Sequence, residues 1–182
     1  MKLNVLFIFF ILLIIFLTVG IISAKQLEIG GFAPDFKLTD NNGEIFTLSE
    51  NKGKKVVLFF FPRVDTPGWI KQNCSFRDSY SWFIDNNINV IGISYDSSIR
   101  HNKFSKTYNL PYRLLSDNDK KVSKLYGANG FFFPKRITFL IDEDGKIFDI
   151  LNKAKLDLYA EETIKRFQAF QTSNSQKDLN AN

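Results

Sequence analysis

The chain has 182 residues, 45% apolar and 24% charged, with a formal net charge of +5. That is the length of one globular domain with a single sizeable core. Lysines and arginines are scattered rather than clustered, so no basic stripe for nucleic acid is present. The only cysteine is Cys74 and the only histidine is His101. An intramolecular disulfide and a cysteine-cluster metal site are therefore excluded, and nothing local supports a Cys–His hydrolase.

Lys2 precedes an uncharged stretch from Leu3 to Ala24 that ends in small residues before Lys25. A basic start, an apolar centre and a small-residue end describe a secretory signal. The stretch is also long enough to span a bilayer, which takes about 20 residues. Residues 1–24 are thus read as a signal peptide or a membrane anchor. Either places the remainder outside the cytoplasm, periplasmic, extracellular or tethered to the membrane, where a lone thiol is not kept reduced by default.

Residues 25–170 read as one domain. Phe36–Thr39 and Ile45–Leu48 are short strands around an Asn41-Asn42-Gly43 turn. Lys54–Phe61 ends in an unbroken apolar run and predicts a central strand buried on both faces. Pro62 and Pro67-Gly68 break it into a loop. Trp69–Asp85 has helical spacing. Asn89–Ser94 is a second buried strand, followed by helices over Ser98–Tyr108 and Asp119–Tyr126. Arg136–Ile141 and Lys146–Ile150 form a hairpin about the Asp142-Glu143-Asp144-Gly145 turn, whose acidic residues suit a turn better than a cation loop. Tyr159–Phe170 closes the domain as an amphipathic helix, and 171–182 is a polar tail expected to be disordered. The pattern predicts an α/β fold with a mixed central sheet flanked by helices. His101, beside Arg100 and Lys103, is expected at the surface, and the Asp117–Asp119 pair is expected to cap the helix that follows.

Chemistry is expected where the first long strand ends. Phe60-Phe61-Pro62-Arg63-Val64-Asp65-Thr66-Pro67-Gly68-Trp69 is a strand, a Pro/Gly loop and a helix start. Ligands of α/β sheets bind at the carboxyl ends of strands. A helix N-terminus there offers free N–H groups and a positive dipole end, and a cysteine in that turn would become a nucleophile. Thr66 could bond an incoming oxygen and Arg136 could add positive charge. Together they would suit attack of sulfur on a peroxide O–O bond.

The stretch FFFPRVDTPGWIKQNCSFRD resembles the peroxiredoxins, in particular the bacterioferritin-comigratory or peroxiredoxin Q group, whose loop reads F-x-P-x-x-x-T-P-G-C with a second cysteine five residues on. The resemblance continues through GGFAPDF, GISYD, LPYRLLSD and RITFLIDEDGK, covering about Leu27 to Phe170. It implies a thioredoxin-like fold, a hydroperoxide substrate, a thioredoxin-like reductant, and chemistry carried by sulfur without metal, haem or flavin. Thr66 and Pro67 then match the loop shaping the peroxide pocket, Arg136 the arginine that positions peroxide, and Cys74 the resolving cysteine. The position of the peroxide-attacking cysteine holds Trp69, which has no nucleophile and whose indole fills the volume peroxide would need. Cys74 does not inherit the role by geometry. Five residues along a helix turn it by about 140° net and lift it by about 7.5 Å. Its thiol is expected near the ordinary value of about 8.5, with Lys71 and Arg77 lowering it somewhat. Two readings remain open: an impaired thiol peroxidase depending on Cys74, or a non-catalytic scaffold. In the second, Trp69, Phe61 and Phe131–Phe133 would form an apolar contact surface, unless they simply pack into the core.

Overall fold

The computed structural model describes residues 27–180 apart from 65, 153, 154 and 157. The expected signal or anchor over 1–24 lies outside the described residues. Among them no helix is long and apolar enough to cross a membrane.

Among the described residues seven strands form one sheet: β1 (Lys37–Asp40), β2 (Ile45–Thr47), β3 (Lys55–Phe60), β4 (Ile88–Ser94), β5 (Arg113–Ser116), β6 (Ile137–Ile141) and β7 (Ile147–Leu151). The helices are α1 (Pro67–Asp78), α2 (Tyr80–Asp85), α3 (Ser98–Tyr108), α4 (Lys121–Leu125) and α5 (Tyr159–Asn180), with a 3-10 turn at Leu48–Asn51. The strand order is β2-β1-β5-β4-β3-β6-β7. β3, β4 and β5 are parallel neighbours, and the outer pairs are antiparallel. The sheet is therefore mixed, as its sequence pattern predicts.

β3 sits in the middle because both of its faces are apolar. Val57, Phe59 and Phe61 face one core with Phe76 of α1, Phe83 of α2, Phe104 of α3 and Phe167 of α5. Val56, Leu58 and Phe60 face the other, with Val122 of α4 and Tyr126. This two-residue alternation is what a pleated strand imposes. Phe59 stacks on Phe76 at 4.8 Å between ring centres, which seats α1 on the sheet. Gly92 of β4 makes room for this packing. A Cβ there would lie 2.8 Å from the Phe59 ring and 2.9 Å from Leu114.

The Asn41-Asn42-Gly43 turn forms as expected. Gly43 takes φ 85°, and the Asp40 carboxylate accepts from the Asn42 and Glu44 N–H groups at 2.8 and 3.0 Å. Asp117 accepts from the N–H groups of Val122 and Ser123 at 3.1 and 2.7 Å, capping α4. At the outer edge, the chain from Gly30 to Ala33 runs beside β7. Gly30 N–H donates to the Ile147 carbonyl at 2.7 Å and Ile147 N–H to the Gly31 carbonyl at 2.8 Å.

The structure differs from the sequence reading at four points. The predicted Trp69–Asp85 helix is two helices, α1 and α2, broken at Ser79, whose backbone leaves the helical region at φ −102°, ψ 10°. β5 is not among the predicted strands, because its four residues become a strand only by pairing between β1 and β4. The helix predicted over Tyr159–Phe170 runs on to Asn180. Phe170 stacks on Phe148 at 4.0 Å, and extending an established helix needs no new nucleus. Thr172 and Ser175 hydroxyls donate to the carbonyls of Gln168 and Gln171. Finally, His101 is not at the surface. It has no solvent exposure, because it takes the inward side of α3, against Phe61.

Candidate active site

The loop after β3 starts from a backbone that is still part of the sheet. Phe61 N–H donates to the Ile93 carbonyl at 3.0 Å, and Val64 N–H donates to the buried Asp96 carboxylate at 3.0 Å. The same carboxylate holds Arg100 at 2.9 Å. Asp96 thus ties the loop to the end of β4, a role the sequence reading did not assign although GISYD contains it.

Thr66 is the residue before α1, with an extended backbone (φ −100°, ψ 134°), and Pro67 opens the helix. The Thr66 hydroxyl donates to the Arg63 carbonyl at 3.1 Å, so its proton is turned back into the loop and not toward an incoming oxygen. Gly68 lies under the chain leading to α5, since a Cβ there would sit 3.0 Å from Leu156.

Trp69 is half-buried and packs against the core formed by Phe59, Phe76 and Tyr159. Arg136 lies over its indole, with the guanidinium carbon 5.3 Å from the ring centre. A cation over an aromatic face is attracted by the ring's negative centre. The Arg136 Nε is buried without a hydrogen-bond partner among the described residues. Behind it stand Thr138 and Tyr159, joined by a 3.1 Å bond from the Thr138 hydroxyl to the Tyr159 oxygen. Burial pushes the Tyr159 phenol up, while the Thr138 bond and the Arg136 charge pull it down. Thr138 was legible in principle, because it stands two residues beyond Arg136 on the same strand face. Tyr159 was not, since it arrives from the far end of the chain.

Cys74 is half-buried on α1. Burial pushes its thiol up, Arg77 pulls it down and Asp78 pushes it up again. The result is a raised value, not the ordinary one expected from sequence, because burial outweighs the basic neighbour. The surroundings of Cys74 belong to the α3–β5 side. Arg77 donates to the Tyr108 carbonyl at 2.9 Å, and Cys74 acts electrostatically on Tyr112. The helix between Trp69 and Cys74 is clamped. Asn73 Nδ2 donates to the Trp69 carbonyl at 2.9 Å, and the buried Tyr112 hydroxyl donates to the Asn73 carbonyl at 2.8 Å.

Trp69 and Arg136 therefore meet beside the loop of Thr66 and Pro67, while Cys74 belongs to a different environment. The helix start carries an aromatic ring and a cation but no sulfur. The aromatic set considered for a surface divides. Phe61 is buried, whereas Phe131 and Phe132 are 85% and 72% exposed. Among the described residues no cluster of His, Cys, Asp and Glu could hold a metal ion.

The family model described as the AhpC/TSA family matches residues 29–150. The chloroplastic peroxiredoxin Q of Arabidopsis thaliana is 44% identical over 154 residues, which cover 82% of this chain and 71% of that one. The chloroplastic peroxiredoxin Q of Oryza sativa subsp. japonica is 41% identical over 152 residues, covering 81% and 70%. Among solved structures, the peroxidoxin BcpB of Mycobacterium tuberculosis superposes with a TM-score of 0.74 at 33% identity, over 79% of this chain and 98% of that one. A PrxQ mutant of Xylella fastidiosa gives 0.77 at 25% identity, over 81% and 99%. These matches take in the sheet, the loop and the helix start together, and the chain belongs to the AhpC/TSA family of peroxiredoxins, in its peroxiredoxin Q and bacterioferritin-comigratory group.

Proposed function

We propose that this chain is a peroxiredoxin Q-type protein whose ancestral reaction, thiol-dependent reduction of hydroperoxides, is strongly impaired because Trp69 occupies the place of the attacking cysteine. One observation carries the reading: the Arg136 guanidinium lies over the Trp69 ring, 5.3 Å from its centre. The cation that would hold the reacting oxygens is held by an indole instead. Neither group can form the S–O bond with which the reaction begins.

Residual activity would run through Cys74. Its thiolate would attack the peroxide, forming the sulfenic acid and releasing an alcohol or water. A first external thiol would displace water from the sulfenic acid to give a mixed disulfide. A second, from a thioredoxin-like dithiol, would release Cys74 and leave as the disulfide. Burial raises the Cys74 thiol, which reduces the thiolate available at neutral pH. Unrolling the start of α1 to bring Cys74 to the pocket would break the Asn73–Trp69 and Tyr112–Asn73 bonds. It would also uncover Phe76, which is fully buried.

A non-catalytic binding role is the second reading, favoured by the 85% and 72% exposure of Phe131 and Phe132. Export or anchoring through residues 1–24 belongs to both readings, and N-terminal sequencing of the mature protein tests it. The test of activity is hydrogen peroxide consumption by the full chain with a dithiol reductant, beside the Trp69→Cys and Cys74→Ser variants. The parent is expected to differ little from the reductant alone, and Trp69→Cys to exceed it on the order of a thousandfold, the scale set by loss of a nucleophile. Rapid turnover by the parent, abolished in Cys74→Ser, would show instead that Cys74 is a working peroxidatic thiol.

A further inference from the structure

Three consecutive phenylalanines in a loop ordinarily turn inward, because each buries a large apolar area. Here Phe131 and Phe132 stand out at 85% and 72% exposure, with their rings edge to face at 4.6 Å. The loop is held in this posture. Lys120 Nζ donates to the Phe131 carbonyl at 3.0 Å, the Tyr95 hydroxyl reaches the Gly130 carbonyl at 3.5 Å, and Lys135 N–H donates to the Ala128 carbonyl at 2.6 Å.

Lys120 leads into α4, and α4 joins this loop to a second apolar group. Lys121, Lys124 and Leu125 line a hollow of about 940 Å³ with Ile29 and Phe32, of which Ile29 is 63% exposed and Phe32 67%. Lys124 and Lys135 border a neighbouring hollow with Leu27. Four exposed lysines, at 120, 121, 124 and 135, thus accompany the apolar residues. The carboxylates on this face are Glu28 and Asp119, which is paired with Lys121 at 2.6 Å. Lys146 Nζ lies 5.5 Å from the centre of the Phe32 ring, and beyond Phe32 the charge is mixed, the next hollow holding Asp35, Asp142 and Asp144 with Lys52 and Lys54.

We propose that the Phe131–Phe132 loop and the lysines of α4 form a membrane-contact face that takes an anionic lipid surface. Rings projecting from a held loop enter the boundary between headgroups and acyl chains, while lysines beside them meet lipid phosphates. The uncharged stretch Leu3–Ala24 ends only Lys25 and Gln26 before Leu27, so this face lies where that stretch joins the fold. A protein surface could also cover two phenylalanines, but the lysines around them select a negatively charged plane. The proposal is independent of whether peroxide chemistry survives.

The test is backbone hydrogen exchange of the full chain reconstituted into vesicles of phosphatidylcholine alone or mixed with phosphatidylglycerol. Reporting on residues 128–135 separates this face from any insertion of the leader. Exchange there is expected to slow about tenfold on the anionic vesicles relative to the neutral ones, as attraction of several lysines implies. The protection is expected to vanish in the F131S/F132S double variant and to weaken in K124E/K135E. Equal exchange on the two vesicle types would overturn the proposal, as would protection that survives F131S/F132S. Protection that appears without vesicles as protein concentration rises would also overturn it, and would assign the face to a second copy of the chain.

Discussion

Lowering the pH from 7.5 to 4.5 will destabilise this fold through one buried ring. His101 has no solvent exposure. Its Nε2 lies 2.8 Å from the Ser94 hydroxyl and its Nδ1 3.2 Å from that of Ser116. Burial pushes its pKa down from 6.5 to about 4, with Asp96 pulling it up and Arg100 pushing it down. The ring is therefore neutral in the fold, while the unfolded chain takes up a proton near 6.5. Above 6.5 both states are neutral and the stability is fully present. Between 6.5 and about 4 only the unfolded chain binds the proton, so stability falls as the pH falls, and the loss is complete below about 4. At about 1.4 kcal/mol per pH unit the whole window is worth about 3 kcal/mol, a large part of the roughly 5–15 kcal/mol typical of a domain. Urea unfolding of the parent and of His101→Gln, pH by pH, measures it. Glutamine can still bond to hydroxyls but cannot titrate. The parent is expected to lose more stability than the variant across this window, by an amount approaching 3 kcal/mol. Parallel curves for the two proteins would refute the assignment of His101 as a buried neutral ring.

The remaining predictions concern the two sides of α1 and the sheet beneath it. Arg136→Met is expected to leave thermal stability within about 1 kcal/mol of the parent, since it exchanges a cation–π contact for relief of a buried unpartnered Nε. In the Trp69→Cys background the same change is expected to abolish the regained peroxide consumption. The alkylation rate of Cys74 with iodoacetamide should rise with pH to an inflection above the ordinary value of about 8.5, because burial raises the thiol; an inflection below it would contradict the environment described. Gly92→Val places carbon within 2.8–3.0 Å of Phe59, Leu114 and Phe61 and is expected to cost about 3 kcal/mol or more, read from denaturant midpoints.

Strands that carry their own apolar pattern were legible in the sequence. The VVLFFF run could only be a strand covered on both sides, and its neighbours NVIGIS and RITFLI follow the same logic. β5 was not legible, since its four residues owe their extension to β1 and β4, which both lie well before it in the chain. His101 was misplaced because adjacent charges suggested a wet helix face, whereas helical periodicity can turn one residue inward between two exposed ones. At the site, Thr66, Pro67, Trp69 and Arg136 could be named from the motif, but the stacking of guanidinium on indole depends on side-chain directions that no pattern encodes. The Cys74 environment escaped for a related reason: its basic neighbours are visible in the sequence, while the depth at which α1 sits is not.

The way the sheet ends at its two margins limits how this protein can assemble. β2 is only three residues long, and the outer side of β7 is already engaged near Ile147 by the passing chain at Gly30 and Gly31. Among the described residues neither margin offers the long row of unsatisfied backbone donors and acceptors that recruits a foreign strand. Continuation of the sheet from one molecule into the next is therefore disfavoured, and self-association of this domain would have to proceed through side chains on its helical and loop faces.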